Sequence, residues 1–156
     1  MNIKVVKLRE DSILPTRAHP SDAGMDLYFC PDEVTKEKII STMGMPIEPR
    51  DSVLLSTGVK IEVPFGYMLE IKNKSGIAHK RQLVIGACVV DSGYAGEIFV
   101  NLHNIGFGTK YLKPGDKIAQ AVLIPIEVCN LEEADEGSFN NETSRGTGSF
   151  GSTGDR

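Results

Sequence analysis

The segment Gly86-Ala87-Cys88-Val89-Val90-Asp91-Ser92-Gly93-Tyr94 joins an apolar run to a carboxylate, a tight turn and an aromatic ring. A hairpin of this kind presents backbone N–H and C=O groups to the edge of a base. It also leaves Asp91 near enough to act on a water and Tyr94 free to stack on a sugar. The same residues make an ordinary turn, because Asp and Gly are favoured there for local backbone reasons. The run Asn73-Lys74-Ser75-Gly76-Ile77-Ala78 offers a hydroxyl and backbone amides beside a cation, which suits phosphate oxygens and equally suits a plain β-turn. Gln120 follows the turn Pro114-Gly115-Asp116 as a polar group among apolar ones, where a satisfied structural amide is the usual explanation. Asp26 stands in the middle of Ala23-Gly24-Met25-Asp26-Leu27-Tyr28. A lone Asp near a strand usually faces solvent, so that reading leads, with an inward orienting role as the other.

The end of the chain, Ser144-Arg145-Gly146-Thr147-Gly148-Ser149-Phe150-Gly151-Ser152-Thr153-Gly154, combines a guanidinium, a ring, hydroxyls and glycines with too little apolar surface to fold alone. It is either a flexible tail or a cradle that closes on an anion, since glycines let backbone N–H groups approach a phosphate closely.

These groups need a scaffold, and the chain reads as short strands punctuated by Gly and Pro. Strands are expected over Ile3–Leu8, Ser52–Val63, Tyr67–Lys72, Leu83–Val90, Glu97–Leu102 and Lys117–Ile124. Ser52–Val63 and Tyr67–Lys72, joined by Pro64-Phe65-Gly66, read as an antiparallel pair. Many short strands and almost no helix predict an all-β fold, a two-sheet antiparallel sandwich or jelly roll. Pro31–Gly44 breaks this rhythm and favours a short helix capped near Asp32, with a thin apolar face of Val34, Ile39 and Met43. Beyond Pro125 the chain turns acidic and polar, so residues 1–139 are expected to form the body and 140–156 an arm. A second copy of the chain is the natural surface for that arm.

With 156 residues the chain is long enough for one domain with a real core. A net charge of −4 without a Lys/Arg stripe argues against a nucleic-acid partner held through a basic surface. Cys30, Cys88 and Cys129 are odd in number and lack CxxC spacing, and His19, His79 and His103 are scattered. Neither a disulfide framework nor a zinc site is indicated. No apolar run approaches a membrane span, so no membrane partner and a cytoplasmic location are expected.

Taken in order, Ala23–Leu27, Lys74–Ala78, Gly86–Glu97, Gly115–Gln120 and Arg145–Gly154 resemble the five motifs of the trimeric deoxyuridine triphosphatases, across nearly the whole chain. The resemblance implies a homotrimer of jelly-roll subunits with shared active sites. Each would cleave dUTP to dUMP and pyrophosphate with Mg²⁺, limiting uracil incorporation into DNA and supplying dUMP for thymidylate synthesis. It implies that Asp91 activates the water attacking the α-phosphorus. Tyr94 would stack on the deoxyribose, and the backbone of Gly86, Ala87, Cys88 and Val89 would read uracil. Lys74, Ser75, Gly76 and Gln120 would contact phosphates, and Asp26 would act on the metal indirectly, through water. Arg145, Gly151, Ser152 and Thr153 would grip the γ-phosphate while Phe150 covers the base. Mg²⁺ commonly binds through substrate phosphates and retained waters, which accords with a chain lacking a metal motif.

Several positions depart from the family pattern. Lys74 stands in place of arginine, Cys88 and Ser149 in place of glycines, Gly93 in place of an acidic residue, and Ala95 where arginine is frequent. The related dCTP deaminases share the fold but place a catalytic glutamate where this chain has Asn101. A catalytically inactive nucleotide-binding or regulatory homologue is the other alternative, and the presence of Asp91, Tyr94, Arg145 and Phe150 argues against it.

Overall fold

A period-two apolar pattern on short β-branched runs buries one face of each strand, and this pattern builds the body. In β6 (Tyr67–Lys72), Leu69 and Ile71 are buried while Lys72 faces out. The computed structural model describes residues 1–40, 43–138, 143 and 146. Its sheets are antiparallel throughout. The largest has four strands in the order β2 (Met25–Tyr28), β11 (Lys117–Pro125), β6 and β8 (Val89–Val90). A second sheet runs β4 (Ser52–Ser56), β9 (Phe99–Asn104), β7 (Leu83–Ile85). Two ribbons complete the fold: β1 (Val5–Lys7) with β5 (Val59–Ile61), and β3 (Met45–Ile47) with β10 (Lys110–Leu112). One apolar cluster collects Leu27, Leu69, Ile71 and Ile118 from the large sheet and Leu55, Leu83, Val100 and Leu102 from the second. This arrangement is consistent with a jelly roll.

Glycines divide two of the expected strands. At Gly58 the backbone takes φ +72°, and an added Cβ would lie 2.2 Å from Ser12 Oγ. The chain changes sheets there, so β4 joins β9 while β5 joins β1. The expected pairing of Ser52–Val63 with Tyr67–Lys72 therefore does not form, and β6 pairs with β11 and β8 instead. Alternation specifies which face a residue takes, not which strand it meets. Gly86 likewise separates β7 from β8. A side chain there would lie 2.1 Å from Asn101 Oδ1 and 2.4 Å from His103 Nε2, so close approach by β9 requires glycine.

The turn after β8 forms as expected, with Tyr94 N donating to Asp91 O at 3.3 Å and Gly93 at φ +85°. It is not a hairpin, because β8 pairs with β6 and β9 with β4 and β7. Asn73–Ala78 is not a β-turn either. It opens α2 (Ser75–Arg81), a short helix ended by Gln82 in the left-handed conformation. The segment Pro31–Gly44 carries α1 (Glu33–Ile40), where the Asp32 carboxylate accepts from Thr35 N at 2.7 Å. Of its expected apolar face Ile39 is buried, while Val34 and Met43 are exposed. After β11 the chain stays exposed to residue 138, with one 3₁₀ turn at Glu136–Ser138.

Candidate active site

The described candidate residues fall into two groups. The first surrounds a cleft of about 220 Å³ lined by Ala87, Cys88, Val89, Asp91 and Tyr94, with Leu54, Ile71 and Phe99 supplying apolar walls. Edge strand β8 carries the near side of this cleft, and Ile71 N donates to Cys88 O at 2.7 Å, fixing the backbone on which the cleft depends. Asp91 lies just past the strand and is exposed, and among the described residues nothing bonds its carboxylate. An unpaired carboxylate beside a turn is free to accept a proton from water. Tyr94 is 46% exposed, and its hydroxyl donates to Glu97 O at 2.9 Å. Gly96 leaves room for that ring, since a Cβ there would lie 2.3 Å from the Tyr94 hydroxyl.

The second group sits where β2, β11 and β6 meet. Gln120 pairs opposite Asp26 on one side and Lys72 on the other. Asp26 is buried, 5% exposed, which corrects the solvent-facing expectation. The reason is charge: Lys74 Nζ reaches Asp26 Oδ1, and Lys117 Nζ reaches Asp26 Oδ2 at 2.8 Å. Burial works against ionisation of Asp26, but the hydrogen bonds and charges of Lys117 and Lys74 outweigh it, holding the carboxyl below its ordinary range. In return Asp26 raises the Lys117 ammonium, which also lies 5.9 Å from the centre of the Tyr28 ring.

The Gln120 side-chain amide is bonded through its nitrogen. Its Nε2 donates to Asn73 O at 2.9 Å, and its side chain crosses Gly24, where a Cβ would lie 2.1 Å from Gln120 Oε1. Asn73 also accepts from Ile85 N at 2.8 Å through Oδ1, and so ties the start of α2 to the strand leading into Gly86. Sequence reasoning assigned no role to Asn73 or Lys117. A polar residue just before a helix start was the only local signal for the first. Ser75 and Gly76 are exposed in the first turn of α2, where backbone N–H groups lack intrahelical partners. Arg145, Phe150, Gly151, Ser152 and Thr153 lie outside the described residues.

Among the described residues no three His, Cys, Asp or Glu side chains gather as a metal cage, and both Asp26 oxygens are engaged by lysines. A divalent cation held by the protein alone does not fit this donor set. The cysteines are free, with Cys30 buried, Cys88 half-buried in the cleft wall and Cys129 exposed. No described helix is long and apolar enough to cross a membrane.

The fold is that of an all-β, antiparallel protein consistent with a jelly roll, and its cleft sets an exposed carboxylate beside an aromatic ring. The family described as dUTPase matches residues 10–154. The deoxyuridine 5′-triphosphate nucleotidohydrolases of Gloeothece citriformis and of a Hydrogenobaculum species are each 38% identical to this chain. The first alignment covers 99% of this chain and 97% of the relative, the second 99% of both. A Staphylococcus bacteriophage 80alpha dUTPase, solved as a point mutant with dUpNHpp, superposes with a TM-score of 0.83 at 26% identity over 98% of each chain. A point mutant of the dUTPase from phage phi11 of S. aureus, described with a structural Mg(II) ion, gives 0.75 at 25% identity over 87% of this chain and 98% of that one. The chain belongs to the dUTPase family.

Proposed function

We propose that this chain hydrolyses dUTP to dUMP and pyrophosphate, with Asp91 as the general base. The observation that carries the assignment of roles is the Asp91 carboxylate, exposed and unpaired, in one cleft with Tyr94 and the backbone of Ala87, Cys88 and Val89. The family relatives support dUTP as the substrate. Uracil enters against the backbone running from Gly86 to Val89, and the Tyr94 ring lies against the deoxyribose. Asp91 takes a proton from a water, the resulting hydroxide attacks the α-phosphorus, and the bond from that phosphorus to the bridging oxygen breaks to release pyrophosphate.

Lys74, Ser75, Gly76 and Gln120 bind the phosphates. For this Lys74 exchanges Asp26 for a phosphate oxygen, and Lys117 stays behind to keep the buried carboxylate neutralised. Lysine meets phosphate as a point charge on a flexible stem, which suits such an exchange better than a rigid guanidinium fork. Mg²⁺ would enter with the substrate, bound chiefly by it rather than by the protein, and would supply charge neutralisation. Asp26 bears on it only through water.

The cleft contains none of Asp26, Lys74, Ser75 or Gln120. A homotrimer that sets the cleft of one copy against the phosphate group of another accounts for this separation. Arg145, Gly151, Ser152 and Thr153 of the arm grip the γ-phosphate and Phe150 covers the base, excluding bulk water. Deamination of dCTP is not favoured, because the position of the deaminase glutamate is held by Asn101, whose Oδ1 lies 3.0 Å from His103 Nε2.

Incubation with dUTP, dCTP or dTTP and Mg²⁺, followed by separation of the products, tests the proposal. dUMP and pyrophosphate in equal amounts from dUTP are expected. Absence of dUMP from dUTP, or formation of dUTP from dCTP, overturns it.

A further inference from the structure

Arg9 lies outside the cleft, just after β1, yet its guanidinium is bound to the frame of Tyr94. Arg9 Nη2 pairs with Glu97 Oε1, Arg9 Nη1 donates to Glu97 Oε2 at 3.3 Å, and Arg9 Nη2 also donates to Cys30 O at 2.8 Å. The pair is largely buried, with side chains 19% and 14% exposed, and among the described residues Arg9 Nε is a buried donor without a partner. Burial opposes the charge on Arg9, but its hydrogen bonds to Glu97 and the charge of that carboxylate outweigh it and hold the guanidinium above its ordinary range. The Glu97 carboxylate is held a third time by Gly58 N, at 2.7 Å.

The main chain of the same glutamate reaches the cleft. Its carbonyl accepts the Tyr94 hydroxyl at 2.9 Å, and the N–H of that same peptide unit, Ile98 N, donates to Val59 O at 2.9 Å. One peptide plane thus links Tyr94 to β5, and the glutamate side chain that sets its position is clamped from behind by Arg9. Nothing else among the described residues bonds the Tyr94 hydroxyl, and the residue is exposed, with its ring beside Gly96.

We infer that Arg9 is a positioning residue for sugar selection: through Glu97 it fixes the Tyr94 ring against the sugar, where a 2′-hydroxyl would crowd it. The inference rests on the proposed stacking of Tyr94 on the deoxyribose. A ring held by one hydroxyl bond tilts when its anchor shifts, and a tilted ring opens space for the ribonucleotide before it harms hydrolysis of the deoxyribonucleotide. The signature is therefore a loss of discrimination with turnover retained.

The experiment compares kcat/KM for dUTP and for UTP in the full chain and its variants. Tyr94→Leu tests the underlying reading and is expected to collapse the dUTP/UTP ratio. Arg9→Met is expected to lower that ratio about three- to tenfold with kcat on dUTP within about twofold, the scale expected of a small misplacement distant from the chemistry. Arg9→Lys keeps the charge without the fork and is expected to fall between. The double variant Arg9→Met/Tyr94→Leu is expected to be no less selective than Tyr94→Leu alone. Should Arg9→Met fail to fold, Arg9→Lys and Tyr94→Phe decide, the latter removing only the bond to the Glu97 carbonyl. A wild-type ratio in both, with the ratio collapsed in Tyr94→Leu, overturns the inference. An unchanged ratio in Tyr94→Leu itself overturns the stacking reading, and this inference with it.

Discussion

Asp26 and Asp91 are the same side chain placed in opposite circumstances. Asp26 sits within the four-stranded sheet, buried and bound by two lysines, whereas Asp91 lies just past an edge strand, exposed and unbonded among the described residues. The first carboxylate is held ionised by fixed partners and serves as an anchor for cations. The second has open lone pairs and access to water, which a proton acceptor requires. A carboxylate already committed to two ammonium groups is a poor base, so the assignment of roles follows from the partners.

Exchanging each aspartate for its amide is the strongest way to break this contrast. Asp91→Asn is expected to lower kcat by about 10²–10⁴-fold while dUTP still binds, the span typical of a general base. Turnover that survives the change would place the base elsewhere. Asp26→Asn is expected to act first on stability, by about 1–3 kcal/mol in chemical denaturation, because two ammonium groups lose their counter-charge and one of them meets an amide NH₂ in place of its acceptor.

The pH dependence of that loss has a definite sign. The folded-state pKa of Asp26 lies below its ordinary value of 3.8, so its contribution is fully present above that value and disappears as pH falls through the lower, folded-state value. The melting curves of wild type and Asp26→Asn are expected to differ at neutral pH and to converge in strong acid. A constant difference across the acid range would show that the ion pairs are not the source.

Lys117→Gln is expected to have a smaller effect, lowering Tm less than Asp26→Asn and raising KM for dUTP. With Lys117 gone, Lys74 becomes the sole counter-charge of Asp26 and gives it up less readily to phosphate. An unchanged KM would argue against the exchange. The smallest expected change is a few-fold shift in KM, with kcat unaltered, in Lys74→Arg, because both side chains carry the same charge and differ in geometry. A large loss of kcat there would place Lys74 nearer the reacting atoms than proposed.

The legible part of the fold was the part written locally. Alternation marked Tyr67–Lys72 as a strand, and Asp32 marked the start of α1. Partners far away in the chain were not legible. Asp26 read as solvent-facing because its neutralising lysines lie 48 residues away, at Lys74, and on the distant strand β11. Arg9 and Glu97, 88 residues apart, gave no local sign of their pairing.

The strands that changed sheets at Gly58 and Gly86 read as continuous because their apolar pattern continues through the break, and only the close approach of Ser12, Asn101 and His103 shows why glycine stands there. β3 and β10, three residues each, are too short to show a period. α2 buries no residue, so no apolar stripe announced it. That Asp91 and Tyr94 share one cleft was easier to anticipate, because they stand three residues apart around a single turn.

The central claim is that a water prepared by Asp91 attacks the α-phosphorus of dUTP. Hydrolysis in water carrying a heavy oxygen isotope, with mass analysis of both products, tests it most directly. The account predicts the label in dUMP and none in pyrophosphate, and loss of labelled dUMP in Asp91→Asn. Label in pyrophosphate, or labelled dUMP formed at the wild-type rate by Asp91→Asn, would contradict it.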